Sequence, residues 1–313
     1  MNAQRQTVTM LAAMMVATAA AAAFGQTVAP AERATAGATQ VSQSIPPDFS
    51  GNWRHPSLPG YEPPVSGPGP VTNRSRRKSD GASNYDRLEG DYTNPILQPW
   101  AAAIVKRFSE ISASGVTYPN PANQCWPEPV PFIYKHFGML MLQQPNKITM
   151  IYSEDHEVRR VRLNTSHPVY VTPSWHGDSV GHWEGDTLVV DTVGVRTDRP
   201  FAMIDLYGTP YTKALHVIER FRLLDYEQAK AGLDQDRKEN FQVQQDTIDR
   251  NYRGKHLQVH ITVEDEGAFT MPWTATITYR PSVIDWEEIA CAENTREPAG
   301  KISAVPHADT PDF

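Results

Sequence analysis

One carboxylate in this sequence of 313 residues lies on the apolar face of a predicted strand. Glu219 falls within 217–223, where apolar residues alternate with polar ones. Side chains two residues apart on a strand point to the same side of a sheet, so Glu219 is expected to face the core. A buried carboxylate requires a partner or a raised pKa. Arg159, Arg160 and Arg162 are available partners, and such a pair can be structural or functional.

The dipeptide Asp155-His156 places an acid beside an imidazole in the turn between two predicted strands. A carboxylate can orient an imidazole and keep its pKa suitable for general acid–base work. Adjacent strand residues point to opposite faces, so an exposed polar turn is the alternative. The catalytic hypothesis takes His156 as the base, Glu219 as the acid or orienting group and Asp155 as the partner of the imidazole.

Four side chains are predicted to bind a substrate, namely Arg159, Trp175, His176 and Trp183. An arginine can hold an anionic group through its planar guanidinium. The tryptophans belong to a larger set of aromatic residues that can either line an apolar cavity or fill the core. The residues themselves leave both uses open.

The segment Gly177–Gly181 has the form G-x-S-x-G around Ser179. A nucleophile elbow needs a helix after the serine. The residues that follow predict a hairpin around Glu184-Gly185 instead, so the alternative is a strand whose small residues allow close packing. Ser179 is therefore not included among the predicted catalytic residues.

Ten histidines raise the question of a metal, but the sequence has no His-Glu-x-x-His motif. His256 and His260 would stand about 13 Å apart on a strand, too far for one ion. A site assembled from different strands is geometrically possible, and its candidate ligands are His156, His176, His182 and His216. We predict no metal and no cofactor.

The elements that must position these residues are mostly strands. Alternation of period two predicts them, and their ranges are 137–143, 147–153, 157–163, 179–184, 186–194, 216–223, 256–263, 273–279 and 283–291. Helices are predicted at 98–112 and 226–238. Many strands with short turns are typical of an all-β fold, and we expect an antiparallel β-barrel over 120–296.

The prolines divide the chain, because 15 of the 26 lie in residues 46–131. Proline removes a hydrogen-bond donor from a sheet, so this part cannot be continuous sheet. We predict that residues 48–119 form a proline-rich wrapping segment with one strand near Trp53 and one helix. Residues 26–47 are expected to be a flexible lead-in, and 297–313 a flexible tail.

Two patterns carry a resemblance. Asp48–Trp53 is similar to the G-x-W start of lipocalin-like barrels. The blocks 152–160, 175–192, 216–221 and 291–294 resemble a large family of exported bacterial proteins that are mostly uncharacterised. The resemblance covers about 120–296 and implies export and a lipocalin-like β fold. It implies no general activity and no functional residues.

Residues 1–25 are predicted to be a signal peptide, with Arg5 followed by the apolar run Met10–Phe24. That run is shorter than the ~20 residues of a membrane span, and no span is predicted. Export places the protein in the periplasm or outside the cell, where Cys125 and Cys291 are expected to form a disulfide. The net charge of −7 argues against nucleic acid as a partner.

We expect an exported protein that binds a small apolar or aromatic molecule, because a closed barrel can hold one ligand. Metal-free acid–base catalysis by a lyase, isomerase or hydrolase is the enzymatic form of this hypothesis. A non-catalytic carrier is the alternative, and an envelope interaction module that uses the loop at 56–98 is a further one. The sequence leaves the oligomeric state open.

Overall fold

The computed structural model describes residues 45–200, 202–286 and 289–291. The strands are β1 (Gly51–Arg54), β2 (Ser57–Leu58), β3 (Gly138–Gln144), β4 (Lys147–Tyr152), β5 (Val158–Leu163), β6 (Asp178–Glu184), β7 (Thr187–Val193), β8 (His216–Leu224), β9 (Phe241–Gln242), β10 (His256–Glu264) and β11 (Trp273–Pro281). The helices are α1 (Pro99–Ala113) and α2 (Tyr226–Glu239), with 3-10 turns at Ala122–Gln124, Phe132–Lys135 and Gln245–Thr247. Both predicted helices are confirmed to within one residue at each end.

Nine strands close into a barrel in the order β1-β11-β10-β8-β7-β6-β5-β4-β3, and β2 pairs with β9 beside it. The prediction of an all-β barrel is confirmed. One detail differs, because β5 and β6 are parallel while every other barrel pair is antiparallel. The chain between Leu163 and Asp178 must therefore return along the barrel before β6 begins. At this parallel pair Gly181 allows close packing, since a Cβ there would lie 3.0 Å from Val161 Cγ1.

The strand predicted at 283–291 is wrong for the residues that the structure describes. Residues 283–286 contain bends and irregular chain, and Ile289 makes a single bridge to Glu154. The physical reason is the closure of the barrel. Because β1 pairs with both β11 and β3, no barrel edge is left to accept another strand.

Side chains fill the barrel interior. The inward-facing rows of the strands are buried and belong to one hydrophobic cluster, which includes Met139, Met141, Ile148, Met150, Val161, Val190, Val217, Phe221, Val259, Ile261, Ala275 and Ile277. The expected ligand chamber is thus occupied by the protein's own core, as in other small barrels. A binding site has to be sought elsewhere in the described chain.

The wrapping segment packs against the barrel through α1, and a turn that follows the segment enters one end of the barrel. Helix α1 buries Ala101 and Val105, and Trp100 Nε1 donates a hydrogen bond to Gly267 O at 2.7 Å. The turn Phe132–Lys135 places the Tyr134 ring inside the barrel, where it is fully buried. This short turn links the core to the outer surface.

The predicted disulfide is confirmed. Cys125 and Cys291 are bonded, with their Cα atoms 5.4 Å apart. No helix within the described ranges is long and apolar enough to cross a membrane. The predicted signal peptide at 1–25, most of the lead-in at 26–47 and the tail at 297–313 lie outside the described residues.

Candidate functional site

A buried ion pair joins four successive strands inside the barrel. Arg159 on β5 makes two hydrogen bonds to Glu219 on β8, from Nη1 to Oε1 at 2.6 Å and from Nη2 to Oε2 at 2.5 Å. Its Nη2 also donates to Thr192 Oγ1 on β7 at 2.7 Å, and Nε donates to Ser179 Oγ on β6 at 3.2 Å. This two-pronged geometry is the strongest form of a carboxylate–arginine contact.

The ion pair of Arg159 and Glu219 is called the barrel-core pair below. Tyr134 adds a third contact to it, because its hydroxyl group donates a hydrogen bond to Glu219 Oε1. Burial and the charge of Glu219 raise the pKa of Tyr134 well above its ordinary value. Burial alone would lower the pKa of Arg159, but the contact with Glu219 raises it. The pair is neutral, has partners on both carboxylate oxygens and lies out of contact with solvent. This geometry favours the structural alternative for Glu219.

The structure does not bring the three predicted catalytic residues together. Asp155 Oδ1 accepts a hydrogen bond from the Cys291 amide at 2.7 Å, and the His156 ring lies 6.1 Å from the Trp286 ring. Both therefore contact the C-terminal segment, whereas Glu219 lies in the core. No hydrogen bond or ion pair joins the three within the described ranges, and a catalytic role for them stays a prediction from the sequence.

The four predicted substrate-binding residues lie in three places. Arg159 and His176 share the lining of a shallow polar depression of about 340 Å³, although the Arg159 guanidinium is turned into the core. Trp175 packs near Trp126, with ring centroids 6.1 Å apart. Trp183 packs on Phe49, with centroids 5.2 Å apart. Only Arg159 and His176 are thus brought together.

Ser179 lies on strand β6 and is packed among its neighbours, which agrees with the alternative of a closely packed strand rather than a nucleophile elbow. Its hydroxyl contacts Arg159 and Thr192 and is buried, and no imidazole of the described residues forms a hydrogen bond with it. The histidines considered as metal ligands are separated as well. His176 pairs with Glu157, His182 with Glu184, and His216 with Asp191 and Glu264.

A cleft of about 420 Å³ lies outside the barrel, between the wrapping segment and the chain around β9. Its walls are mainly aromatic and aliphatic, and they include Leu58, Tyr85, Leu88, Val116, Tyr118, Phe137, Leu206, Phe241 and Val243. Tyr85 and Phe241 stack with their centroids 5.5 Å apart, which forms one continuous aromatic wall. This size and lining are typical of sites for small molecules.

Charged side chains close one end of the cleft. Lys135 Nζ lies 3.1 Å from Glu128 Oε1 and also contacts Glu154 Oε2. Glu128 and Lys135 are nearly buried, whereas the Glu154 side chain is 22% exposed and lines the cleft. Burial alone would lower the pKa of Lys135, but the two carboxylates raise it above its ordinary value. Lys135 therefore stays an ammonium ion.

His136 completes a group of four charged or ionisable residues, Glu128, Lys135, His136 and Glu154, which is called the cleft cluster below. Its Nδ1 accepts a hydrogen bond from the Glu154 amide at 3.2 Å, which assigns the ring proton of the neutral form to Nε2. Nε2 lies 2.8 Å from Glu128 Oε2, close enough for attraction but without the alignment of a hydrogen bond. Burial alone would raise the pKa of Glu128, but His136 and Lys135 hold it below its ordinary value.

The cleft cluster has the donor set of a metal site, since atoms of Glu128, His136 and Glu154 lie within 4.8 Å of one another. It is the one such group in the part of the chain that the structure describes. The Lys135 ammonium already contacts both carboxylates. A metal ion would have to displace that positive charge, so the arrangement fits a lysine-filled cluster better than a metal centre.

Sequence reasoning missed Glu128, Lys135 and Glu154 as a group. Lys135 lies in an irregular turn after a cluster of prolines, where no periodicity indicates which way a side chain points. One signal was available, because Tyr134-Lys135-His136 places three ionisable side chains in a row directly before a strand. Comparison with family models, curated proteins and solved structures finds no match for this chain.

Proposed function

We propose that this protein binds a small, largely aromatic or apolar molecule in the cleft outside the barrel. The observation that carries the proposal is the aromatic cleft that ends at the partly exposed carboxylate of Glu154. A ligand would lay its rings between the apolar walls and direct a hydrogen-bond donor toward Glu154. Burial of rings supplies affinity, and the single polar end supplies orientation.

The charge of the cleft limits the ligand class. The charged side chains in its lining are Asp86, Lys135 and Glu154, two acids against one base. Glu128 lies directly behind Lys135 and adds a further negative charge. An anionic ligand would be repelled, so the proposed ligand is neutral or cationic at its polar end.

Binding accounts for the cleft better than covalent catalysis does. Lys135 is held as an ammonium ion, which cannot attack a carbonyl group. Burial raises the pKa of Tyr85 above its ordinary value, although Lys135 opposes this, so its phenol is a poor base. The carrier alternative from the sequence is therefore the form that we propose, with the cleft in place of the barrel interior.

We also propose that the protein is exported, since structural disulfides persist mainly in oxidising compartments. The supporting observation is the bond between Cys125 and Cys291. Intact mass of the protein isolated from the cell envelope tests this. We expect a chain that starts after Gly25 and has no free thiol. A chain that starts at Met1 would contradict export by a cleaved signal peptide.

Two fluorescent probes that differ by one charge test the binding proposal. N-phenyl-1-naphthylamine is neutral and carries one N–H donor, and 8-anilino-1-naphthalenesulfonate adds a sulfonate to the same rings. We expect the neutral probe to bind about tenfold more tightly, because a net unit charge nearby is worth ~1–4 kcal/mol. Equal affinity, or tighter binding of the sulfonate, would contradict the assignment.

A blocking variant with a matched control locates the probe. Val116 lines the cleft and is 57% exposed, so Val116→Trp should fill the cleft without disturbing the core. Val169 is 92% exposed and lies outside the cleft lining, so Val169→Trp is the control. We expect only Val116→Trp to abolish binding of the neutral probe. An equal loss in both variants would place the probe elsewhere.

A further inference from the structure

A second concave site lies beneath α2 and is independent of the aromatic cleft. It encloses about 240 Å³, and four arginines line it, namely Arg237, Arg250, Arg253 and Arg280. Tyr226, Gln242 and Gln245 add polar groups to the lining, and Asp236 is its one acidic residue. The lining thus contains four guanidinium groups and one carboxylate, in a protein whose net charge is −7.

The acid in this arginine pocket is already engaged by other groups. Asp236 accepts hydrogen bonds from Ser57, from Asn240 at 3.0 Å and from Gln242 at 3.0 Å. None of the four arginines forms an ion pair with it among the described residues. Within the described ranges, Arg237 is the one of the four that pairs with a carboxylate, namely Asp234, which is 53% exposed. The four arginines therefore exceed these two carboxylates, and the pocket keeps a net positive charge.

Arg280 gives the most direct sign of a missing partner. It lies on β11, and its Nε is buried without a hydrogen-bond partner in the described part of the chain. Burial lowers the pKa of Arg280 and Arg237 adds to this, while the carboxylates of Asp236 and Glu62 offset the lowering only in part. A buried donor without an acceptor costs about 1–3 kcal/mol, which an incoming anion would relieve.

Two other arginines leave their charge available, and one of them is held in place by an aromatic ring. The Arg253 guanidinium lies over the Tyr226 ring, 4.1 Å from its centroid, and Nη1 donates to Tyr252 O at 3.0 Å. The Arg250 side chain forms no hydrogen bond or ion pair with any described residue. Stacking fixes the plane of a guanidinium without neutralising it.

We propose that this pocket binds a phosphate or sulfate group. Such a group has several acceptor oxygens and one or two negative charges, which suit a cluster of planar guanidinium donors. The group can belong to a free ion or to an anionic lipid headgroup. The site is distinct from the cleft because the chain at 241–245 separates them, with Phe241 lining the cleft and Gln242 lining the arginine pocket.

Calorimetric titration of the full chain with inorganic phosphate tests the proposal. Arg250 is exposed, so Arg250→Gln should fold normally, and Arg280→Gln removes the half-buried group. Arg199→Gln is the control, since Arg199 is exposed, lies outside the pocket and carries the same charge. We expect each pocket variant to weaken phosphate binding by at least about tenfold and the control to leave it unchanged.

The source of the anion is separated by a second measurement, sedimentation with phosphatidylglycerol vesicles and with phosphatidylcholine vesicles. Phosphate binding without sedimentation supports a free ion, and Arg250-dependent sedimentation with phosphatidylglycerol alone supports a lipid headgroup. The proposal is overturned if the wild-type protein binds neither phosphate nor phosphatidylglycerol. It is also overturned if Arg199→Gln weakens binding as much as Arg250→Gln, because the attraction would then be unspecific.

Discussion

The barrel-core pair and the cleft cluster are neighbours along the chain but differ in their surroundings. Tyr134 points inward to the Arg159–Glu219 pair, and the next residue, Lys135, points outward to Glu128 and Glu154. The inner group is neutral and fully buried. The outer group has two carboxylates for one ammonium ion, and one carboxylate lines the cleft.

This difference indicates how a structural ion pair is told from a binding site. A buried pair whose hydrogen bonds are complete has nothing left to offer a ligand, and its loss mainly affects stability. A cluster with spare acceptors at a cleft can meet a ligand at little structural cost. The chemical types are similar in the two regions, so composition alone cannot separate them.

The largest effect is expected from Arg159→Met, which leaves Glu219 buried without its cation. Breaking a buried pair in this way costs about 3–5 kcal/mol. Urea unfolding of the variant measures this free energy. The double variant Arg159→Met/Glu219→Leu should recover much of the loss, because no unpaired charge then remains. A loss below about 1 kcal/mol in the single variant would show that the inner pair is not a structural unit.

A smaller, pH-dependent effect is expected from Lys135→Met. The pKa of Glu128 is lowered in the folded protein, so its stabilising contribution is present above its unfolded pKa and is lost as the pH falls through the lower folded value. Without Lys135 that lowering should shrink, and the free energy of unfolding should fall by about 2 kcal/mol near neutral pH. Unfolding measured between about pH 7 and pH 3 tests this. An unchanged acid dependence would contradict the role given to Lys135.

The smallest effect on stability is expected from Glu154→Gln, below about 1 kcal/mol, because this side chain is partly exposed. Its effect on binding should be clear, since the variant removes the proposed acceptor and one negative charge. We expect weaker binding of the neutral naphthylamine probe and a reduced preference over its sulfonate analogue. Probe titration measures both, and Glu227→Gln on the exposed face of α2 is the matched control. If the preference for the neutral probe stays unchanged in Glu154→Gln, the role given to Glu154 in ligand binding is wrong.

The strands were predictable because the period-two pattern survives in β3 to β8, β10 and β11. The inward direction of Glu219 followed from its apolar neighbours. Arg159 could have been selected as its partner, since it shares a strand face with Val161 and Leu163, whereas Arg160 and Arg162 face outward. The parallel pair β5–β6 could not be predicted, because alternation is the same in parallel and antiparallel strands. The two sites lie mainly in turns and in contacts between distant segments, where no period operates.

The four-residue strand β1 has a consequence for how this chain is made. β1 lies between β3 and β11 and completes the barrel, so Trp53 pairs with Met139 and also with Pro281. A ribosome releases β1 long before its partner β11, because β3 to β10 and both helices lie between them in the chain. Until that partner arrives the sheet has open edges, which attract other unfolded chains. The barrel is therefore expected to close only after β11 has been synthesised. The yield of folded protein should depend on how well the open edges are protected until then.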